Sequence, residues 1–95
     1  MLDMDVIRNA VREAASQYPV KRVELFGSYA NGSATEKSDV DFLVEFNDSS
    51  VSLLKLFGFQ EMLIELLKMD VDVVKLPLKK NTELLIENRV CVYES

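Results

Sequence analysis

Two short acidic segments of this 95-residue chain lie inside runs of β-branched and aromatic residues. Asp39 and Asp41 are two positions apart, so on a strand their side chains would point to the same face. Unpaired carboxylates among apolar residues are unfavourable, and a divalent cation is the obvious compensation. Upstream, Gly27 and Ser28 could bring backbone N–H groups close to a phosphate. The four residues together predict a site for a magnesium-bound nucleotide.

A second acidic pair occupies the run Met69-Asp70-Val71-Asp72-Val73-Val74. Asp72 lies in mid-strand among valines, whereas Asp70 at the strand entrance fits a turn or a cap. If the two strands are neighbours, Asp72 can converge with Asp39 and Asp41 at one end of the sheet. Three carboxylates without any histidine favour two Mg²⁺ ions, or Mn²⁺, over zinc. The alternative for Asp39 and Asp41 alone is a turn residue and a solvated edge residue.

The apolar periodicity predicts the elements that must position these side chains. Three- and four-residue spacing predicts helices over residues 3–17, 52–68 and 80–88, with a helical turn over 28–31. Alternating or β-branched runs predict strands over 21–26, 39–46, 70–75 and 90–93. The order αβ(α)βαβαβ implies an α/β (α+β) fold in which helices flank a small mixed β-sheet.

Composition bounds the fold and the classes of function. With 48% hydrophobic and 28% charged residues, positions 1–95 are expected to form a single domain. The net charge of -5 disfavours direct binding of nucleic acid. No apolar run is long enough to span a membrane and the start lacks a basic signal region, so we expect a cytoplasmic protein. The single cysteine, Cys91, lies between valines and is expected to be a buried structural thiol.

The predicted helix over 52–68 is apolar over much of its circumference. One face would pack on the sheet. The remainder either is sandwiched within the domain or contacts a partner or another copy, as in a homo-oligomer. Both alternatives stay open at the level of sequence.

The run from Leu25 to Phe42, LFGSYANGSATEKSDVDF, resembles the signature of the DNA polymerase β-like nucleotidyltransferase superfamily. In its short length the chain resembles the members of the minimal nucleotidyltransferase (MNT) group. This group includes the antitoxins of HEPN–MNT toxin–antitoxin pairs. Asp72 falls where that family has its third acidic residue, so the resemblance covers nearly the whole chain. The Gly-Ser and Asp-x-Asp spacing is its most specific part.

The resemblance implies a nucleotidyltransferase that moves a nucleoside monophosphate, usually AMP from ATP, to a hydroxyl and releases pyrophosphate. In HEPN-paired members the acceptor is a tyrosine of the toxin, whose RNase activity is thereby blocked. The implied catalytic metal ligands, for two Mg²⁺ ions, are Asp39, Asp41 and Asp72. The implied nucleotide-binding residues are Gly27, Ser28 and Ser38, the last by orienting the start of a strand.

One departure and two further functions accompany this interpretation. Many relatives carry a basic residue where this chain has Asn31, and Lys37 is the candidate substitute. A non-catalytic antitoxin could instead neutralise a HEPN partner by contact alone. A small-molecule nucleotidyltransferase is the third alternative, although larger enzymes of that kind use an additional substrate-binding domain. Because function resides in the site and its partner, fold analogy does not decide among them.

Overall fold

The computed structural model describes residues 2–48, 50–76 and 88–95, which form a mixed four-stranded sheet and its helices. The elements in chain order are α1 (Met4–Ala15), β1 (Val20–Phe26), α2 (Ser28–Asn31), β2 (Val40–Phe46), α3 (Leu53–Leu67), β3 (Val71–Lys75) and β4 (Val90–Glu94). The predicted mixed α/β fold is therefore confirmed. The helix expected over 80–88 lies outside the described residues except for its last position, so it stays a prediction.

The sheet order β3-β2-β1-β4 places the two acidic strands side by side. Strand β1 is antiparallel to both β2 and β4, whereas β2 and β3 are parallel. Parallel neighbours require a crossover connection, and α3 supplies it. As a result, the first residues of β2 and β3 lie at the same end of the sheet.

Side chains cap the starts of both long helices. The carboxylate of Asp3 accepts a hydrogen bond of 2.9 Å from the Val6 N–H, as the sequence predicts for α1. Ser52 accepts from the Lys55 N–H at the start of α3, and Lys68 ends that helix in the left-handed region at φ 59°. These ends fix the lengths of the two helices that cover the sheet.

The hydrophobic core lies between one face of the sheet and the helices α1 and α3. Its fully buried members include Val11, Val23, Leu25, Val40, Phe42, Val44, Phe59 and Leu63. Because side chains alternate along a strand, Asp41 and Leu43 of β2 point to the opposite face. Leu43 is fully buried but does not belong to this core cluster. We call the side that bears Asp41 the carboxylate face.

The apolar excess of α3 is only partly absorbed by the core. Leu53, Leu54 and Phe57 are 61%, 81% and 53% exposed, so this helix is not sandwiched within the described part of the domain. No helix among the described residues is both long and apolar enough to cross a bilayer.

The expectation of a buried Cys91 is wrong. The thiol is half-buried, because β4 is an edge strand, and its Sγ lies 3.6 Å from the carbonyl of Tyr93. A position on an edge strand leaves one side of a residue open to solvent.

Candidate active site

The pairing of β2 with β3 brings two of the predicted carboxylates together. Asp41 and Asp72 are register partners in this parallel pair, so their side chains lie on the same face of adjacent strands. Asp41 is half-buried, whereas Asp72 on the edge strand is exposed. The two acidic strands are therefore neighbours, which is the condition under which Asp72 can converge with Asp41.

Asp39 precedes β2 by one residue and is exposed. Its charge acts on Asp41: burial raises the pKa of the Asp41 carboxyl above its usual 3.8, and the charges of Asp72 and Asp39 raise it further. Asp41 thus lies within electrostatic range of both Asp72 and Asp39. In the described part of the chain none of them forms an ion pair with lysine or arginine.

Gly27 ends β1 directly against Asp41. The last residue of β1, Phe26, is the register partner of Asp41, and the chain then turns at Gly27 with φ 75°. A Cβ atom at this position would lie 2.5 Å from Asp41 Oδ2 and 3.4 Å from its Cγ. Only glycine satisfies both the backbone angle and this close approach. The space beside Asp41 therefore depends on the absence of a side chain at Gly27.

Ser28 opens the short helix α2 next to this turn. The carbonyl of Gly27 accepts hydrogen bonds from the N–H groups of Ala30 and Asn31, at 3.0 and 3.1 Å. Among the described residues the Ser28 hydroxyl has no hydrogen-bond partner. The structure thus places Ser28 beside the Gly27–Asp41 contact, and its role toward a nucleotide stays a prediction.

Asn31 shapes the loop that follows α2. Its Oδ1 accepts hydrogen bonds from the Ser33 N–H at 3.0 Å and from the Ser33 hydroxyl at 2.6 Å. The amide therefore acts within the loop and supplies no positive charge, unlike the basic residue that many members of the resembled family have. Lys37, its candidate substitute, is exposed in the same loop.

Ser38 closes the turn that leads into β2. Its hydroxyl accepts from the Thr35 N–H at 2.8 Å, and its own N–H donates to the Thr35 carbonyl at 3.0 Å. These bonds orient the chain just before Asp39. The structure gives Ser38 a positioning role, and direct contact with a nucleotide stays a prediction.

Two further contacts that the sequence did not reveal hold β3 in place. The Val40 N–H donates to the Asp70 carbonyl at 3.1 Å, which ties the starts of β2 and β3 together. The Gln60 side chain in α3 donates to the Val71 carbonyl at 2.7 Å, one residue before Asp72. Helix α3 also contains Lys55, Glu61 and Glu65, so residue type alone did not single out Gln60.

The three carboxylates fit a hard divalent cation by donor type and by charge. They offer only oxygen ligands, which suit Mg²⁺ or Mn²⁺, and a bound cation would relieve the repulsion that helps to raise the pKa of Asp41. The described residues contain no group of three side chains already arranged to hold a metal ion. Because Asp39 and Asp72 are exposed, their rotamers can change when a cation binds.

Comparison with known sequences gives a consistent family. The chain matches the nucleotidyltransferase domain family over residues 5–91. A candidate protein adenylyltransferase of Methanocaldococcus jannaschii is 41% identical over 70 residues, which cover 74% of this chain and 70% of that protein. The protein adenylyltransferase MntA of Thermococcus cleftensis is 43% identical over 63 residues, covering 66% of this chain and 63% of that protein.

Solved structures share the fold. A candidate minimal nucleotidyltransferase aligns with a TM-score of 0.72 and 30% identity, over 94% of this chain and 95% of that chain. A toxin–antitoxin crystal structure with AMP-PNP aligns with a TM-score of 0.76 and 20% identity, over 93% and 73% of the two chains. A complex of tri-AMPylated HEPN toxin with MNT antitoxin from Shewanella oneidensis aligns with a TM-score of 0.72 and 18% identity, over 98% of this chain and 74% of that chain.

The family match spans most of the chain, and the M. jannaschii relative exceeds 30% identity over more than two thirds of both proteins. The two toxin–antitoxin complexes, at 20% and 18% identity, concern the fold alone. On this evidence the chain belongs to the minimal nucleotidyltransferase group of the nucleotidyltransferase domain family.

Proposed function

We propose that this chain transfers AMP from ATP to a hydroxyl of a partner protein, a tyrosine of a HEPN toxin, and thereby acts as an antitoxin. The observation that carries the proposal is the in-register pair of Asp41 and Asp72, with Asp39 acting on the same carboxylate and Gly27 leaving room beside it. The names of the sequence relatives support protein adenylyltransfer. The similar complexes with HEPN toxin and AMP-PNP support the partner and the nucleotide.

The proposed chemistry gives each residue of the site a task. Asp39 and Asp41 would hold two Mg²⁺ ions, and Asp72 would be the third ligand. When bound, the ions supply positive charge to the triphosphate and to the leaving pyrophosphate. Ser28 donates its N–H and hydroxyl to the phosphates, in the space that Gly27 leaves open.

Bond making and breaking balance within this arrangement. The acceptor oxygen forms a bond to the α-phosphorus, the bond between that phosphorus and the bridging oxygen breaks, and pyrophosphate leaves. Asp72 is exposed on the edge strand and accepts the proton of the acceptor hydroxyl, directly or through water. The acceptor approaches from solvent, because two of the three carboxylates are open on that side.

The test uses the purified chain, a HEPN protein encoded beside it, magnesium and ATP labelled at the α-phosphate. We expect label on the HEPN protein, with a mass increase of one or more AMP groups on a tyrosine peptide. Asp41→Asn and Asp72→Asn should each abolish labelling, whereas the control Asp48→Asn, beyond the other end of β2, should retain it. Absence of label with the wild type, or equal labelling by Asp41→Asn, would overturn the proposal.

A second candidate is neutralisation by contact alone, which the exposed apolar residues of α3 favour. The double variant Asp39→Asn/Asp41→Asn separates the two candidates in a toxin-neutralisation assay. Protection that persists in this variant supports contact. Protection that is lost while the complex still forms supports transfer.

A further inference from the structure

The outer surface of α3 combines two different chemical characters along one helix. Its first turns expose Leu53, Leu54 and Phe57. Further along, Glu61 and Glu65 are exposed on the same side, since positions 54, 58, 61 and 65 follow the spacing of one helical face. We call these five side chains the α3 outer face. It extends about 17 Å from Leu54 to Glu65, or three helical turns.

The apolar end of the α3 outer face is large enough to be a contact surface. From their exposed fractions, the two leucines and the phenylalanine present about 350 Å² in total, which lies in the range of the largest apolar patch on a monomer. Isolated exposed leucines need no explanation, but these two leucines and one phenylalanine at one end of a helix form a contiguous surface. Such a surface is typical of a contact site.

The acidic end borders two shallow grooves. One, of about 550 Å³, is lined by Tyr18, Gly58, Glu61, Met62, Ile64 and Glu65. The other, of about 440 Å³, runs between α1 and α3 and is lined by Glu13, Gln17, Met62, Glu65, Leu66 and Lys68. Three carboxylates against one ammonium group surround apolar walls. The charge favours an occupant that brings lysine or arginine side chains.

A second copy of this chain is a poor occupant. If two α3 helices met in antiparallel orientation, the leucines of one copy would cover the glutamates of the other. In parallel orientation, Glu61 and Glu65 would face their own counterparts.

We infer that the α3 outer face binds an amphipathic helix of a partner protein. Apolar side chains of that helix lie over Leu53, Leu54 and Phe57, and its lysine or arginine side chains lie over Glu61 and Glu65. A helix that binds against such a face makes its contacts through side chains three and four residues apart. The occupant therefore carries apolar side chains at one end of its binding surface and basic side chains at the other.

This docking surface is separate from the candidate active site. Helix α3 packs on the face of the sheet that holds the core, whereas Asp41 lies on the carboxylate face. The apolar end of α3 also follows the end of β2, while Asp41 lies near the beginning of that strand. A helix bound on α3 therefore anchors the partner without occupying the place of the acceptor hydroxyl in the same copy.

The test uses the full chain without nucleotide or metal, so its result is independent of the proposed transfer reaction. The probes are two synthetic three-turn amphipathic peptides with leucines in the first half and either lysines or glutamates in the second half. Binding is measured by calorimetry and mapped by amide chemical shifts. We expect the lysine peptide to bind at least tenfold more tightly than the glutamate peptide, with shifts confined to α1 and α3.

Variants then assign the contact to its residues. Glu61→Lys/Glu65→Lys should reverse the preference between the two peptides, and Leu54→Ser should weaken both at least tenfold. Glu36→Lys, in the exposed loop before β2, is the matched charge control and should change neither. Equal binding of the two peptides, no binding, or shifts on the carboxylate face would overturn the inference. So would a dimer, detected by sedimentation, that Leu54→Ser dissociates.

Discussion

Replacing Asp41 by asparagine should make the fold more stable while it abolishes transfer. Burial, then the charges of Asp72 and Asp39, raises the pKa of Asp41 in the folded chain. A carboxyl whose pKa is higher when folded binds more protons in the folded state, so the free energy of unfolding falls as the pH rises from 3.8 through the folded pKa. At neutral pH the ionised Asp41 therefore lowers stability, and asparagine removes that charge with little change of shape.

The size of the effect follows from the strand spacing. Adjacent strands lie about 4.8 Å apart, so the carboxylates of Asp41 and Asp72 are separated by about 5 Å. Their repulsion is about 0.8 kcal/mol in water and about 3 kcal/mol at an effective dielectric constant of 20. Because Asp72 is exposed, the lower figure is closer, and we expect Asp41→Asn to gain about 1 kcal/mol. For a domain of this size that is an increase of about 4–8 °C in Tm.

Denaturant unfolding near pH 7 and near pH 3, with chelator present, measures this difference. The gain should be present near pH 7 and absent near pH 3, where wild-type Asp41 is protonated in both states. Asp48→Asn is the matched control of opposite sign, because hydrogen bonds from the Ser50 N–H and hydroxyl lower the pKa of Asp48. It should lose stability near pH 7. An Asp41→Asn variant less stable than wild type near pH 7, or a gain that does not depend on pH, would refute the reasoning.

Three further substitutions test the contacts that frame the site, each by denaturant unfolding. Gly27→Ala should lower the free energy of unfolding by about 1–3 kcal/mol, and by more than Gly32→Ala, because both have positive φ but only Gly27 approaches Asp41. Gln60→Ala should lose about 1 kcal/mol through its broken hydrogen bond to β3, and a change below about 0.3 kcal/mol would contradict that role. Asn31→Ala should lose about 1 kcal/mol, because two hydrogen bonds hold the loop before β2.

The elements that support the site could be predicted because periodicity reports directly on packing. Alternation along 39–46 and the valines of 70–75 indicated two buried strands, and the structure begins them one residue later at Val40 and Val71. Once the strands are parallel neighbours, the spacing of Asp41 and Asp72 from each strand start places them side by side. Their adjacency followed from the pattern together with one assumption about sheet order.

The contacts that refine the site could not be predicted, since they depend on backbone groups and on loop geometry. The hydrogen bond from Val40 to the Asp70 carbonyl has no counterpart in residue type. Asn31 and Ser38 have side chains that suit a phosphate and a turn equally well, and only the structure shows them bonded within the loop. The exposed side of α3 was visible as an apolar excess, but its direction depends on how the helix packs.

The carboxylate cluster and the α3 outer face each lack a partner among the described residues. A cation on one face and a basic amphipathic helix on the other should therefore each raise Tm by mass action. The sheet separates the two sites, so we expect the increases produced by saturating Mg²⁺ and by the lysine peptide to add. Asp41→Asn should reduce only the first increase and Leu54→Ser only the second. An increase with both ligands that clearly exceeds or falls short of the sum would mean that the two faces are coupled through the sheet, and that docking acts on the site as well as anchoring the partner.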